Sequence, residues 1–382
     1  MRKICFVTGT RADYGIMAPI MKEIQKSDDA RLQIIATNMH LSPDFGMTVN
    51  EIEGDGFTVD EKINSLVPGG SEESTVLSMA KVMEGVAEAF TRLKPDLVVI
   101  LGDRYEALAA ASAAVVYNIP IAHLHGGETT EGAIDDKFRH AITKLSTFHF
   151  AATPQYAEKI ISMGADPAHV FHSGAPGAAV MDEDGPDLWE DFYKKTGIGP
   201  GVPFILMAMH PVTTLPDKGI FEVKETLEAL EVFINQGYKI LITMPNSDPG
   251  NDRLIKLLKD CAKRHEASEE KMVVTVDSLG AKMFHFAMEY ASAIVGNSSA
   301  ALIEAPSYRL PAVNVGIRQK GRAHGITVID VAGEKTKIEE AIKTALSLEM
   351  KSVMMGLSVN SLNPYYKENS SGFIAEKLMM LK

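Results

Sequence analysis

Short apolar runs that stop at a glycine or a polar residue, each followed by a helix-patterned segment, recur along the whole chain. This alternation restricts the fold to parallel sheets with crossover helices. The first instance, KICFVTGTRADYGIMAPIMKEIQK, reads as a buried strand over residues 4–7, a glycine turn, and a helix with Ile16, Ile20 and Ile24 on one face. LQIIAT, DLVVILGD, IPIAHLHGG, FHFAAT and VFHSG repeat the strand pattern, and an Ala-rich helix is expected over residues 107–116.

A turn-rich, acidic stretch interrupts the alternation at Pro176, Gly177, residues 182–187 and residues 197–203, with one helical patch over residues 188–195. The strand pattern then restarts with FILMAMH, YKILITM, KMVVTV, SAIVGN and AVNVG, with helices expected over residues 222–236, 252–264 and 299–305. At 382 residues the chain is long enough for two cores. The reading is therefore α/β, with two Rossmann-like domains, 1–177 and 178–360, facing a cleft. A final helical segment over 361–382 is expected to cross back onto the first domain. Ligands of doubly wound sheets bind beyond the strand C-termini, so candidate chemistry is sought just after strands.

Composition removes several classes. A net charge of −12 leaves no broad basic surface for a nucleic acid, and no apolar run approaches membrane-spanning length. The apolar run in MRKICFVTG is too short for a signal peptide, and Cys5 and Cys261 form neither a disulfide framework nor a zinc motif. A cytoplasmic protein is expected. The patterns of serine hydrolases, zinc proteases and P-loop proteins are absent.

Several post-strand turns carry polar groups. Thr8-Gly9-Thr10-Arg11 offers backbone amides and a guanidinium to a phosphate, or is a structural turn with a surface arginine. Asp103-Arg104 brings a carboxylate and a guanidinium to the end of LVVIL, although on pattern alone a helix N-cap fits slightly better. HLHGGE has an HxHxxE spacing, but no third metal ligand is fixed nearby, so metal binding is not expected and Glu128 is the informative residue. Asp135 and Asp136 open a helix, where they complement its dipole or serve as catalytic carboxylates near Glu128. In the second half, His210-Pro211, Asn246 and Gly296-Asn297-Ser298-Ser299 follow strands. The last of these resembles an anion site, or else a plain serine cap. Arg318-Gln319-Lys320-Gly321-Arg322 is a basic cluster right after AVNVG, either a solvated loop or a phosphate clamp.

Together, TGTRADYG, KPDLVVILGDRYEAL, HLHGGE, IDDKFRHAITK, HPVTT, MPNSDPG, IVGNSSAALIEAP and NVGIRQKGR resemble the UDP-N-acetylglucosamine 2-epimerase family. TGTRADYG and the IDD-x-x-RHAITK segment resemble its hydrolysing branch, which begins sialic-acid-type sugar synthesis. The motifs run in family order from residue 8 to residue 322, and NPYYKEN resembles the family's tail.

The resemblance implies a glycosyltransferase-B type fold, no metal or other cofactor, and a dimer or tetramer. It implies UDP held by His210, Asn246, Ser298, Ser299 and Glu304, with Arg11 and Arg322 at the diphosphate, Arg318 as an alternative, and Arg104 beside the sugar. Asp103, Glu128 and Asp136 become the acid/base set, with Asp135 a further member and His210 a second-role acid. The expected reaction converts UDP-N-acetylglucosamine and water to N-acetylmannosamine and UDP through a glycal. The same family also acts on UDP-2,4-diacetamido-2,4,6-trideoxyglucose, and a UDP-sugar glycosyltransferase or non-catalytic UDP-sugar sensor are the readings of another class.

Overall fold

The structure is a computed structural model that describes residues 1–179, 186–265 and 271–381. It divides into two compact units, one of Met1–Thr129, Ile134–Ala179 and Tyr365–Lys382, the other of Thr130–Ala133 and Val180–Pro364.

The first unit is built on seven strands: β1 (Arg2–Thr8), β2 (Ala30–Thr37), β3 (Glu61–Ile63), β4 (Leu97–Leu101), β5 (Ile121–Leu124), β6 (Phe148–Ala151) and β7 (Val170–His172). They lie in the order β3-β2-β1-β4-β5-β6-β7, every pair parallel. Both faces of the sheet are covered, which is why its strands read as unbroken apolar runs. Ile4 and Phe6 point to one core with Met17, Ile20 and Ile24, while Cys5 and Val7 point to another with Val82, Val86 and Phe90. The C-terminal helix Ser370–Met380 belongs to the first of these cores through Ile374, Ala375 and Leu378.

The second unit carries β8 (Phe204–Ala208), β9 (Lys239–Thr243), β10 (Val273–Val276), β11 (Ala293–Gly296), β12 (Ala312–Val315) and β13 (Val328–Val331), all parallel, in the order β10-β9-β8-β11-β12-β13. Two cores again flank the sheet, one with Met207, Val223 and Leu227, the other with Leu206, Phe286 and Leu302. The two parallel-sheet α/β units and the returning helix are the architecture expected from the alternation.

In each sheet the strand order reverses beside the first strand of the unit. The chain steps outward from β1 to β2 and β3, then returns to the other side of β1 with β4; β8 and β11 repeat this. Crossovers leave such a switch point in opposite directions and open a crevice beyond the strand C-termini.

Several elements were not read from the sequence. The helix Glu72–Leu93 hides its period because the buried face of its first turns is Ser74, Thr75 and Ser78. β3 has only three residues, and β13 carries Asp330 within it. The acidic turn expected over 182–187 falls mostly outside the described residues, and the helical patch beside it is the helix Pro186–Thr196.

Buried histidines make the first unit acid-sensitive. Burial lowers His40 to about 4, His123 to about 3 and His149 to about 4. Each folded value lies below the unfolded one near 6.5, so each histidine binds its proton more readily once unfolded. The stability is intact above that unfolded value and lost as pH falls toward the folded ones, by at most about 1.4 kcal/mol per pH unit per histidine. Thermal unfolding at constant ionic strength should therefore shift to markedly lower temperature between pH 7 and pH 5. A flat profile over that range would contradict this.

Candidate active site

In the first unit the candidate residues gather where β1, β4 and β5 end. Thr8, Gly9 and Thr10 turn the chain into the helix Arg11–Gln25, whose first residue is the half-buried Arg11. The amides of this turn are already committed. Gly9 N–H and Thr10 N–H donate to the Asp13 carboxylate at 3.0 and 3.1 Å, and the Thr8 hydroxyl donates to it at 2.6 Å. The expectation that these amides hold a phosphate is corrected: Asp13 takes them up and the turn builds a capping box. Burial pushes the Asp13 carboxyl up, against the hydrogen bonds from Thr8, Gly9 and Thr10 and the charge of Arg104.

At the end of β4, Arg104 is the N-cap position of the helix Tyr105–Val116 and no side chain caps it. Asp103 is therefore not the helix cap. It is paired instead with Arg139, which is 1% exposed and among the largest fully buried side chains of the protein. Arg104 Nε donates to Glu106 at 2.6 Å, and Glu106 is itself buried. A methyl group on Gly9 would sit 2.5 Å from Glu106 Cγ and Oε1, so this turn and that carboxylate fit together only with glycine.

Beyond β5, His125 and Glu128 form a close pair, Nδ1 to Oε1 at 2.6 Å, and Glu128 is completely buried. His123 is held through Nε2 to Gly102 O and through Nδ1 to Thr143 Oγ1. Each histidine of the HxHxxE spacing is thus bonded within the protein. Asp135 and Asp136 form the first turn of the helix Asp135–Leu145. Asp136 Oδ2 lies 3.6 Å from His140, which in turn is 3.4 Å from Lys159 Nζ. The same helix holds Arg139 against Asp103 and donates Thr143 toward β5, so one element aligns the acids that follow β4 and β5.

In the second unit, Asn297 is the organiser. It is completely buried just after β11, accepts from His210 N–H at 2.7 Å and donates its amide to His210 O at 2.9 Å. This pins the residue that follows β8, and His210 Nδ1 in turn meets the Asn246 amide at 3.5 Å after β9. Arg318 and Gln319 both donate to Asn297 O, at 3.2 and 2.9 Å, and Arg322 donates to Gln319 at 3.0 Å. The basic loop is therefore folded onto the GNSS turn rather than free in solvent. Gly296 has φ +146°, and a methyl there would lie 2.0 Å from Ala208 O, so β8 and β11 approach closely only with glycine at this position. Ser298 is buried and Ser299 half-buried, and Glu304, 3.6 Å from His285, follows the short helix Ala300–Ile303.

The structure thus brings His210, Asn246, Ser298, Ser299, Arg318 and Arg322 to the switch point of the second sheet, and Arg11, Asp103, Arg104 and Glu128 to that of the first. The sequence alone gives Arg139, Asn297 and His125 no role of their own. The available signal for Arg139 was its place on the apolar stripe with Ile142 and Thr143. Among the described residues one group has metal-ligand chemistry: Glu231, Cys261 and His265, with ligand atoms within 4.8 Å of one another. It sits at the C-terminal end of the helix Asn251–Arg264, on the edge opposite the strand C-termini, and His265 already pairs with Glu231 at 3.0 Å.

The family model described as UDP-N-acetylglucosamine 2-epimerase matches residues 22–379. The chain is 34% identical to a GDP/UDP-N,N'-diacetylbacillosamine 2-epimerase (hydrolyzing) of Campylobacter jejuni, covering 92% of this chain and 89% of that protein. It is 35% identical to a UDP-N,N'-diacetylbacillosamine 2-epimerase (hydrolyzing) of Legionella pneumophila, covering 91% and 89%. Its fold is similar to the crystal structure of UDP-GlcNAc 2-epimerase from Neisseria meningitidis bound to UDP-GlcNAc, with a TM-score of 0.81 at 19% identity over 99% of this chain and all of that one.

The Asp103–Arg139 pair gives a direct test of how the site is held. Arg139→Met leaves the Asp103 charge without its guanidinium and should lower the unfolding midpoint by several degrees, about 1–3 kcal/mol. Adding Asp103→Asn should recover part of that loss, because the stranded charge is gone. Strictly additive effects in this double-mutant cycle would show that the pair carries no coupling.

Proposed function

The chain belongs to the UDP-N-acetylglucosamine 2-epimerase family, and from that premise we propose that its substrate is UDP-2,4-diacetamido-2,4,6-trideoxyglucose, hydrolysed with inversion at C2. That it is a hydrolysing 2-epimerase of the UDP-N-acetylhexosamine type rests on relatives matched over nine-tenths of their length. The finer choice of sugar follows the hydrolyzing diacetylbacillosamine epimerases among them. UDP-N-acetylglucosamine, the substrate expected from the sequence resemblance, is the second reading, favoured by a 30% identical UDP-N-acetylglucosamine 2-epimerase of Neisseria meningitidis.

What supports the catalytic assignment is the clustering of acids at one sheet edge: Asp103 after β4, Glu128 after β5, and Asp136 on the helix that braces both. A sugar C2 with no neighbouring carbonyl cannot epimerise through an enolate. One carboxylate removes the C2 proton while the C1–O bond to UDP breaks, leaving a C1=C2 glycal. Water then adds at C1 as a second acid delivers a proton to the opposite face of C2, and the free 2-epimer and UDP are released. Negative charge develops on the departing diphosphate, so cations belong there. Arg11, His210 and Arg322 take that role, with Arg318 in the same loop as Arg322. Asn246, Ser298, Ser299 and Glu304 hold the nucleotide, and His210 can also protonate the phosphate oxygen. Arg104 supports the sugar side, with Asp135 beside Asp136 as a reserve carboxylate.

Incubation with each UDP-sugar and quantification of released UDP should show higher kcat/KM for the diacetamido sugar, without any acceptor being present. Asp103→Asn, Glu128→Gln and Asp136→Asn should each lower kcat by roughly 100-fold or more while UDP affinity stays within a few-fold. Equal turnover of parent and all three variants would remove the carboxylates from the mechanism. UDP release only when an acceptor is added would instead identify a glycosyltransferase.

A further inference from the structure

His125 is the one member of the HLHGGE segment whose conformation costs something. Its φ is +61°, in the left-handed region that side chains rarely adopt, although two glycines follow immediately. The strained backbone is held by its amide, which donates to Phe150 O at 3.1 Å. Such conformations persist where a side chain must be aimed. Here the conformation delivers Nδ1 to Glu128 Oε1 at 2.6 Å. The other ring nitrogen, Nε2, is buried without a hydrogen-bond partner, a rare state for a polar atom.

Other titratable groups lie on the same and neighbouring elements. His123, on the same strand, is bonded at both nitrogens and lowered to about 3 by burial, so it stays neutral at working pH. His149 on β6, in register with His123, is lowered to about 4 by burial. Arg139, one turn before Thr143 on the neighbouring helix, is paired with Asp103. The bond from His125 Nδ1 to Glu128 Oε1 is the contact this segment makes with a proposed acid/base carboxylate.

We propose that His125 is a positioning residue for the reaction. Its Nδ1–H selects which oxygen of Glu128 faces the imidazole and sets the proton content of that carboxylate, so that Glu128 and His125 work as a dyad, as the carboxylate and imidazole of hydrolytic triads do with their roles exchanged. The inference rests on the reading of Glu128 as an acid/base member. It goes beyond that reading in assigning work to a residue that makes no other contribution to the mechanism.

Three variants separate the possibilities. His125→Asn keeps a donor near the Nδ1 position and tolerates positive φ but cannot titrate, His125→Ala removes the donor, and Glu128→Gln removes the acceptor charge. With the parent turning over, His125→Ala should lose roughly 100-fold in kcat at unchanged UDP affinity. His125→Asn should fold normally and regain part of that loss, with one limb of the pH–rate profile displaced or absent. In nitrogen-15 NMR of the full chain, the deshielded His125 Nδ1–H resonance should be lost or shifted strongly in Glu128→Gln. His125→Ala with parental kcat, or His125→Asn with both parental kcat and parental pH profile, would overturn the proposal while leaving the functional reading intact. Unchanged His125 resonances in Glu128→Gln would overturn it at any level of activity. A parent that releases no UDP from either sugar would overturn the functional reading and the dyad's catalytic role together.

Discussion

Everything that positions chemistry in this protein depends on a reversal of strand order that occurs once in each sheet, between β1 and β4 and between β8 and β11. Crossovers that leave in opposite directions cannot fill the space above their strands, so the polar ends of those strands stay available for a ligand. The residues there are forced into close company. Gly9 must lack a side chain for Glu106 to reach Arg104, and Gly296 must lack one for β11 to close on Ala208. Each glycine marks a switch point and serves the fold and the site together.

The two units solve the problem of buried polarity differently. In the first, charges are neutralised pairwise, Asp103 with Arg139 and Arg104 with Glu106, while His125 binds Glu128. Partners left alone in such surroundings would be costly, which makes the acids and their supports interdependent. In the second, one neutral side chain does the organising. Asn297 fixes His210 from both sides and receives Arg318 and Gln319, so a cationic loop is held at the GNSS turn by a neutral residue, while Lys320 of that loop pairs with Glu131 at 2.9 Å.

Much of this was legible in the sequence. The βα alternation needs only apolar periodicity and glycine, and those signals survive wherever a strand is buried on both faces, as Ile4 to Val7 and Phe204 to Ala208 are. The helix Glu72–Leu93 escaped because serine and threonine form part of its buried face, and β3 because three residues carry no period. The post-strand residues were found because strand ends can be read. Their partners were not: Arg139 lies 36 residues from Asp103, and Asn297 lies 87 from His210. The Thr8–Thr10 amides looked available until Asp13, three residues past Thr10, was seen to occupy them. His125 was set aside with the metal reading of HxHxxE, since its left-handed backbone and its bond to Glu128 exist only in three dimensions.

In the proposed reaction, carboxylates of the first unit pass the sugar through a glycal, with UDP lost and C2 inverted. Proton NMR of the complete reaction in deuterium oxide tests it most directly. The expected product is a free 2-epimer carrying one deuterium at C2, formed in step with UDP. A product that keeps its original hydrogen at C2, or that remains attached to UDP, would contradict it.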